Sequence, residues 1–180
     1  RTRSGTAPRS LDGGKTFRLL FDPTCAPRSR PMCTTGGGGD TENEVNPVTG
    51  QVYFGDQEVL VQEAFATSND HGDTFPISES FPLSSVATGV DRQWIAGLAP
   101  GIATIAGQTI AAFYTYHVPI AGEYIVAVTA AGVPIPQPVP QVTNVSQSGQ
   151  VRIDNTNGPG RGWIYQPYRT SGYKVATAFA

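Results

Sequence analysis

Apolar and polar residues alternate over short stretches of this chain, and each stretch ends in Gly, Pro, Asn or Ser. Period-two alternation with such punctuation predicts β-strands joined by turns. Residues 58–67 (EVLVQEAFAT) and 123–128 (EYIVAV) read this way. So do 51–55 (QVYFG), 107–117 (GQTIAAFYTYH) and 162–169 (GWIYQPYR). The stretch 172–180 (GYKVATAFA) reads as a further strand. Two segments interrupt the pattern, the glycine run 36–39 and the proline-rich 133–142, and both read as connections between repeated units.

The turns repeat as well. Ser10-Leu11-Asp12-Gly13-Gly14-Lys15-Thr16-Phe17 and Ser68-Asn69-Asp70-His71-Gly72-Asp73-Thr74-Phe75 share the pattern Ser-x-Asp-x-Gly-x-Thr-aromatic. In such a turn the Ser and Asp side chains satisfy backbone groups that lack a ladder partner. The Gly allows a positive φ, and the aromatic is expected to start the next strand by entering the core. Residues 129–135 (TAAGVPI) follow another strand, with Gly132 at nearly the spacing that separates Gly72 from Gly14. That turn has lost the Asp and the Thr and reads as a degenerate copy. Within each unit the order is inner strand, second strand, third strand, box turn, outer strand. Four antiparallel strands per unit predict an all-β chain organised as propeller blades.

Composition agrees with many short strands. Of 180 residues, 21 are Gly and 15 Pro, while only 14% are charged. That is a poor supply for long helices. The 12 Lys and Arg against 14 Asp and Glu form no basic stripe, so a nucleic-acid partner is not expected. No apolar run is long enough to span a bilayer as a helix. Cys25 and Cys33 are close enough in sequence to close a small disulfide loop in an oxidising compartment, and two free thiols are the alternative. With no other Cys and no clustered His, no metal site and no cofactor are expected.

These residues resemble the BNR, or Asp-box, repeat proteins of the sialidase-like β-propeller superfamily. The resemblance rests on the two boxes, on residues 38–42 (GGDTE), on 46–53 (NPVTGQVY) and on 91–96 (DRQWIA). It implies an all-β arc of four-stranded antiparallel blades in an incomplete ring. One partial propeller domain then covers residues 1–180. It comprises the end of a blade (about 1–35), two blades (36–85 and 86–142) and the start of another (143–180). The rest of the propeller would be needed for closure, so the chain reads as a piece of a longer secreted or cell-surface protein. The resemblance also implies a structural role for the box residues Ser10, Asp12, Gly14, Thr16, Phe17, Ser68, Asp70, Gly72, Thr74 and Phe75, at the blade periphery between the third and fourth strands.

In such propellers ligands meet the starts of the inner strands. Aligning those strands sets Asp40 opposite Asp91, Glu42 opposite Gln93 and Gln150, and Glu44 near Arg152. Residues 40, 42 and 44 share one face by alternation. Asp40, Glu42, Asp91, Arg92 and Gln93 are therefore the ligand-binding candidates. They form either a polar axial pocket for carbohydrate, another surface ligand or a cation such as calcium, or the rim of a hydrated channel. A sialidase-like glycosidase is the alternative function. It would need three arginines on the sugar carboxylate, a Tyr nucleophile paired with Glu and an Asp acid/base. The Phe/Tyr-Arg-Ile-Pro motif of that family is absent here. Arg92, Arg152, Arg161 and Arg169 lack matching context, and no Tyr can be assigned, so the catalytic groups would lie in missing blades. A purely structural module is the third reading.

Overall fold

The structure, a computed structural model, describes residues 8–19, 40–58, 62–81, 89–135, 142–143, 146–169 and 177–179. The pair Cys25 and Cys33 and the glycine run 36–39 lie outside the described residues.

The described residues are all-β, with no helix. Strands β1 (Pro8–Arg9) and β2 (Arg18–Leu19) pair antiparallel around the first box. Strands β3 (Thr41–Val45), β4 (Val52–Glu58), β5 (Gln62–Ser68) and β6 (Ile77–Phe81) form a four-stranded antiparallel meander in chain order. A second meander follows. It runs β7 (Asp91–Gly97), β9 (Gln108–Val118), β10 (Gly122–Thr129) and β11 (Pro134–Ile135), with the short β8 (Thr104–Ile105) added beside β9. In the third group β12 (Gln147–Ser148) pairs with β15 (Tyr168–Arg169). There β13 (Arg152–Ile153), β14 (Ile164–Gln166) and β16 (Thr177–Phe179) form a three-stranded sheet. None of these sheets closes on itself.

The proline-rich segment read as a connection begins inside the second sheet. Pro134 and Ile135 are its fourth strand, in register with Val128 and Ala127. A proline is tolerated there because an edge strand needs no N–H on its outer side.

The two meanders stack face to face, and alternation decides which side chains meet. On β4 and β5, Tyr53 and Phe65 point to the second sheet, where Ile95, Tyr114 and Val126 join them in one buried cluster. The rings of Phe65 and Tyr114 meet edge-on at 5.2 Å between centroids, a favoured aromatic geometry. Phe54, Ala66 and Phe75 cluster on the opposite face of the first meander. The far face of the second meander carries Ala96, Phe113 and Ala127, which pack with Val151 and Ile164 of the third group. The second sheet is thus covered on both sides. This is why 110–118 is buried at every position and reads as a nearly unbroken apolar run instead of a clean alternation.

Asparagines stitch the layers. Buried Asn46, in the β3–β4 turn, donates from Nδ2 to the carbonyls of Leu98 (2.9 Å) and Ala111 (3.0 Å) of the second sheet. Its Oδ1 accepts from the backbone N–H groups of Val48 and Thr49, which shapes its own turn. Asn155 does the same from the other side, donating to the Gly97 carbonyl at 2.9 Å and accepting from Ala99 N–H at 2.7 Å. Gly97 lies between these clamps, and a Cβ there would stand 2.9 Å from the Asn46 Cα.

One expectation is corrected. Phe75 is buried against Phe54 and Ala66 of its own sheet, but Phe17, at the same box position, is 64% exposed, because the described β1–β2 pair has only two short strands and no counterpart of those residues. Trp163, just before β14, stands 41% exposed beside Tyr165.

Candidate functional site

The box turns are built alike, atom for atom. In the first, Ser10 Oγ donates to Asp12 Oδ1 at 2.8 Å and accepts from Gly14 N–H at 2.7 Å. Asp12 accepts from the N–H of Thr16 at 2.9 Å and from its hydroxyl at 2.6 Å. In the second, the corresponding bonds from Ser68, Gly72 and Thr74 measure 2.7, 2.8, 2.8 and 2.6 Å. Each Asp therefore spends its acceptor capacity inside its own turn. Those bonds, the one from the threonine hydroxyl first, hold the Asp12 carboxyl at about 2, below its ordinary 3.8, and lower Asp70 further. The first box joins β1 to β2, and the second joins β5 to β6 at the end of its sheet opposite the start of β3.

The inner-strand starts meet at the other end. A bulge between Asp91 and Gln93 places Arg92 in the left-handed region, at φ 54. Arg92 Nε then reaches Asp40 Oδ2 at 3.5 Å. The repeat alignment sets Asp91 opposite Asp40. The bulge brings Arg92 there instead, while Asp91 lies in register with His117. Gln93 donates its amide to the Asp40 carbonyl. Gln57 accepts from Asp40 N–H through Oε1 and donates at 2.5 Å to the Val90 carbonyl. Asp40 is thus fixed by two amides while its carboxylate stays half-exposed. An ion pair so exposed contributes about 0–1 kcal/mol, and a non-glycine left-handed residue costs about the same or more. Stability alone does not account for the arrangement.

Glu42 and Glu44 share a face of β3 and reach past β7 to the third group. Glu42 accepts from Gln150, and both carboxylates feel Arg152, whose guanidinium donates to Gln150 at 2.7 Å. Burial pushes both carboxyls up, and the Glu44 charge adds to the rise at Glu42. Strands β3, β7 and β13 therefore line one polar edge. Glu42 stands on this edge beside Gln150, and the tight cluster at its start is Asp40, Arg92 and Gln93.

The sequence reading missed a repeated buried carboxylate. Glu63 and Glu123 each precede their turn glycine by the same nine residues (63 to 72, 123 to 132), and both are buried. Each is met by a donor from the second strand of the following unit. Tyr114 O–H donates to Glu63 at 3.1 Å, and Gln166 donates to Glu123 at 2.7 Å. Across the ladder Glu63 pairs with Gln57, and Glu123 pairs with His117. The shared spacing from the glycine was the signal that would have found them. Burial drives the Glu63 carboxyl well up, only partly offset by the Tyr114 bond. Burial, and then the neighbouring Glu63, drive the Tyr114 phenol well up. A nucleophilic phenolate needs the reverse and needs access, but Tyr114 is fully buried.

Among the described residues, no group of three or more His, Cys, Asp and Glu is placed to hold a metal ion, and no helix is long and apolar enough to cross a membrane. No protein family, curated protein or solved structure matches the chain.

Proposed function

We propose that this chain is a carbohydrate-binding module built as an arc of a sialidase-like Asp-box β-propeller, working outside the cell or at its surface. The reading is supported by two consecutive antiparallel meanders stacked face to face, each with its glycine turn between third and fourth strands. The observation that carries the binding role is the Asp40–Arg92 pair, presented half-exposed where the inner strands start. A carboxylate and a guanidinium side by side can accept from and donate to vicinal hydroxyls of a sugar. Hydrolysis is not favoured, because the described Tyr–Glu contact is buried and its phenol is held protonated.

The test is isothermal titration against a panel of neutral and acidic oligosaccharides, with and without calcium. Asp40→Asn and Arg92→Ala should each weaken binding about tenfold, the scale of a lost charge-assisted hydrogen bond, without shifting the melting temperature. Absence of any glycan binding, or binding by both variants as tight as the parent's, would remove the reading.

A further inference from the structure

At the opposite end of the strands, where the turns lie, the two meanders flank a half-open cavity of about 130 Å³. It is bounded by Thr49 and Gln51 of the β3–β4 turn, Asn69 of the second box, Pro100, Thr109 and Ala130. By strand length it lies about 20 Å from the Asp40–Arg92 pair. No charged side chain lines it. The geometry points to a second binding site here, for a small neutral polyhydroxylated ligand such as a single pyranose.

Three observations carry this. The first is the fixed floor. Gln51 is buried and its amide is committed, donating to the Asn69 side-chain oxygen and to the Ala130 carbonyl at 3.3 Å. Its own oxygen accepts from Tyr53 O–H, which also reaches the Ala111 carbonyl at 3.2 Å. Gln51 thus cross-links the box turn of one sheet to the turn of the next and holds the walls apart.

The second is what the floor leaves free. With its oxygen taken by Gln51, Asn69 has its NH₂ left to donate. Thr49 and Thr109 add hydroxyls, and Pro100, Ile110 and Ala130 supply an apolar wall. Amides and hydroxyls on one side with an apolar surface on the other match a sugar ring, which is polar at its edge and apolar on its face. The pocket holds about four waters, so a pyranose would seat one edge and face in it and leave the rest of the ring in its open mouth. An anion or cation would find no counter-charge and would lose solvation on entry.

The third is that the box does not need Asn69. The position between Ser and Asp makes no turn-closing bond in either box, and the first box carries Leu11 there, 80% exposed. The polar residue at position 69 is therefore free to serve the cavity.

The experiment is an amide ¹H–¹⁵N titration of the full chain with methyl α-glucopyranoside, methyl β-galactopyranoside and glycerol, each to about 20 mM, a range that detects millimolar binding. Shifts centred on residues 49–51, 69, 109–111 and 130 are expected for at least one pyranoside. Asn69→Leu, which copies the first box and also removes the acceptor of the buried Gln51 amide, should weaken that binding at least about tenfold while amides remote from the cavity keep their parent positions. Thr109→Val, on the other sheet, should weaken it as well. The inference is overturned if no pyranoside shifts these amides, if both variants bind like the parent, or if shifts gather around Asp40 and Arg92. That last pattern would leave the rim reading standing while this one fails.

Discussion

The turn between β5 and β6 and the turn between β10 and β11 hold the same place in neighbouring sheets, yet they are kept by different forces. The first is closed by side chains: Ser68 and Asp70 satisfy the N–H groups of Gly72 and Thr74 and the Thr74 hydroxyl. The second has neither residue. It closes on a tighter backbone pair between Thr129 and Val133, with the Thr129 hydroxyl accepting from Val133 N–H at 3.0 Å. Both retain the glycine at positive φ, 83° in Gly72 and 86° in Gly132. Only Gly132 is pressed against another sheet. A Cβ there would stand 2.5 Å from Thr67 Cγ2, and its carbonyl accepts from the Thr67 hydroxyl at 3.0 Å. A Cβ at Gly72 would meet only Arg9 Cδ, at 3.9 Å. Local hydrogen bonds can be exchanged for a shorter turn, but the close approach of a backbone cannot.

The sharpest way to break this contrast is to add a methyl at each glycine. Gly132→Ala should cost about 2–4 kcal/mol, combining backbone strain with an overpacked contact against a buried, β-branched and hydrogen-bonded threonine. Gly72→Ala should cost about 1–2 kcal/mol, from left-handed backbone alone. Urea melts of the two variants decide, and equal losses would refute the distinction.

Side-chain closure should show in the next pair. Asp70→Ala removes three bonds and should lower stability by about 1 kcal/mol, a typical cap loss at an exposed site. Thr129→Val removes one and should cost less. A larger loss for Thr129→Val would mean that the second turn depends on its hydroxyl as much as the first depends on its carboxylate.

The repeated glutamate extends the comparison into the layers. Burial raises the Glu63 carboxyl, so its contribution is fully present below the ordinary Glu value and is lost as pH rises through the folded value. Glu63→Gln keeps an acceptor for Tyr114 and removes the titration. The variant should melt higher than the parent at pH 8, with the gap shrinking towards pH 4. A constant gap would show that ionisation of Glu63 is not involved.

The smallest effect is local. The box carboxyls are depressed, so their contribution is present above about pH 4, near the ordinary value, and disappears as pH falls through the folded values, about 2 for Asp12 and lower for Asp70. Hydrogen exchange should therefore show the Thr16 amide losing protection towards pH 2, with Thr74 following only in stronger acid. The Val133 amide, held by a hydroxyl, should show no such loss. Loss at Val133 over the same range would point to opening of the whole sheet and not of the turn.

The boxes, the strand order around them and the all-β class were legible in the sequence, because a turn closed by its own side chains is a local object. Every partner of Asp70 lies within four residues, so spacing alone encodes the geometry. The short final strand of the second sheet was hidden, since Pro134 and Ile135 look like part of a proline-rich connection until β10 pairs with them. The different fates of Phe17 and Phe75 were also invisible. Both hold the same position in the same motif, but Phe75 packs on Phe54 and Ala66 of its own four-stranded sheet, and the described β1–β2 pair has no such strands beside Phe17.

The candidate site divides in the same way. Alternation on β3 places Glu42 and Glu44 on one face, and the repeat alignment brings them towards Gln150 and Arg152, where the structure also has them. That Arg92 and not Asp91 stands beside Asp40 was decided by one bulge, which rotates a strand by a residue without any mark in its composition. The cavity under the turns and the Glu63–Tyr114 pair are likewise made by residues far apart in the chain, 51 positions for Glu63 and Tyr114 and 79 for Gln51 and Ala130, on facing sheets. Sequence spacing determines what a short segment can do with its own atoms. Which side chains from separate sheets share a volume follows from stacking and register, and those exist only once the layers have met.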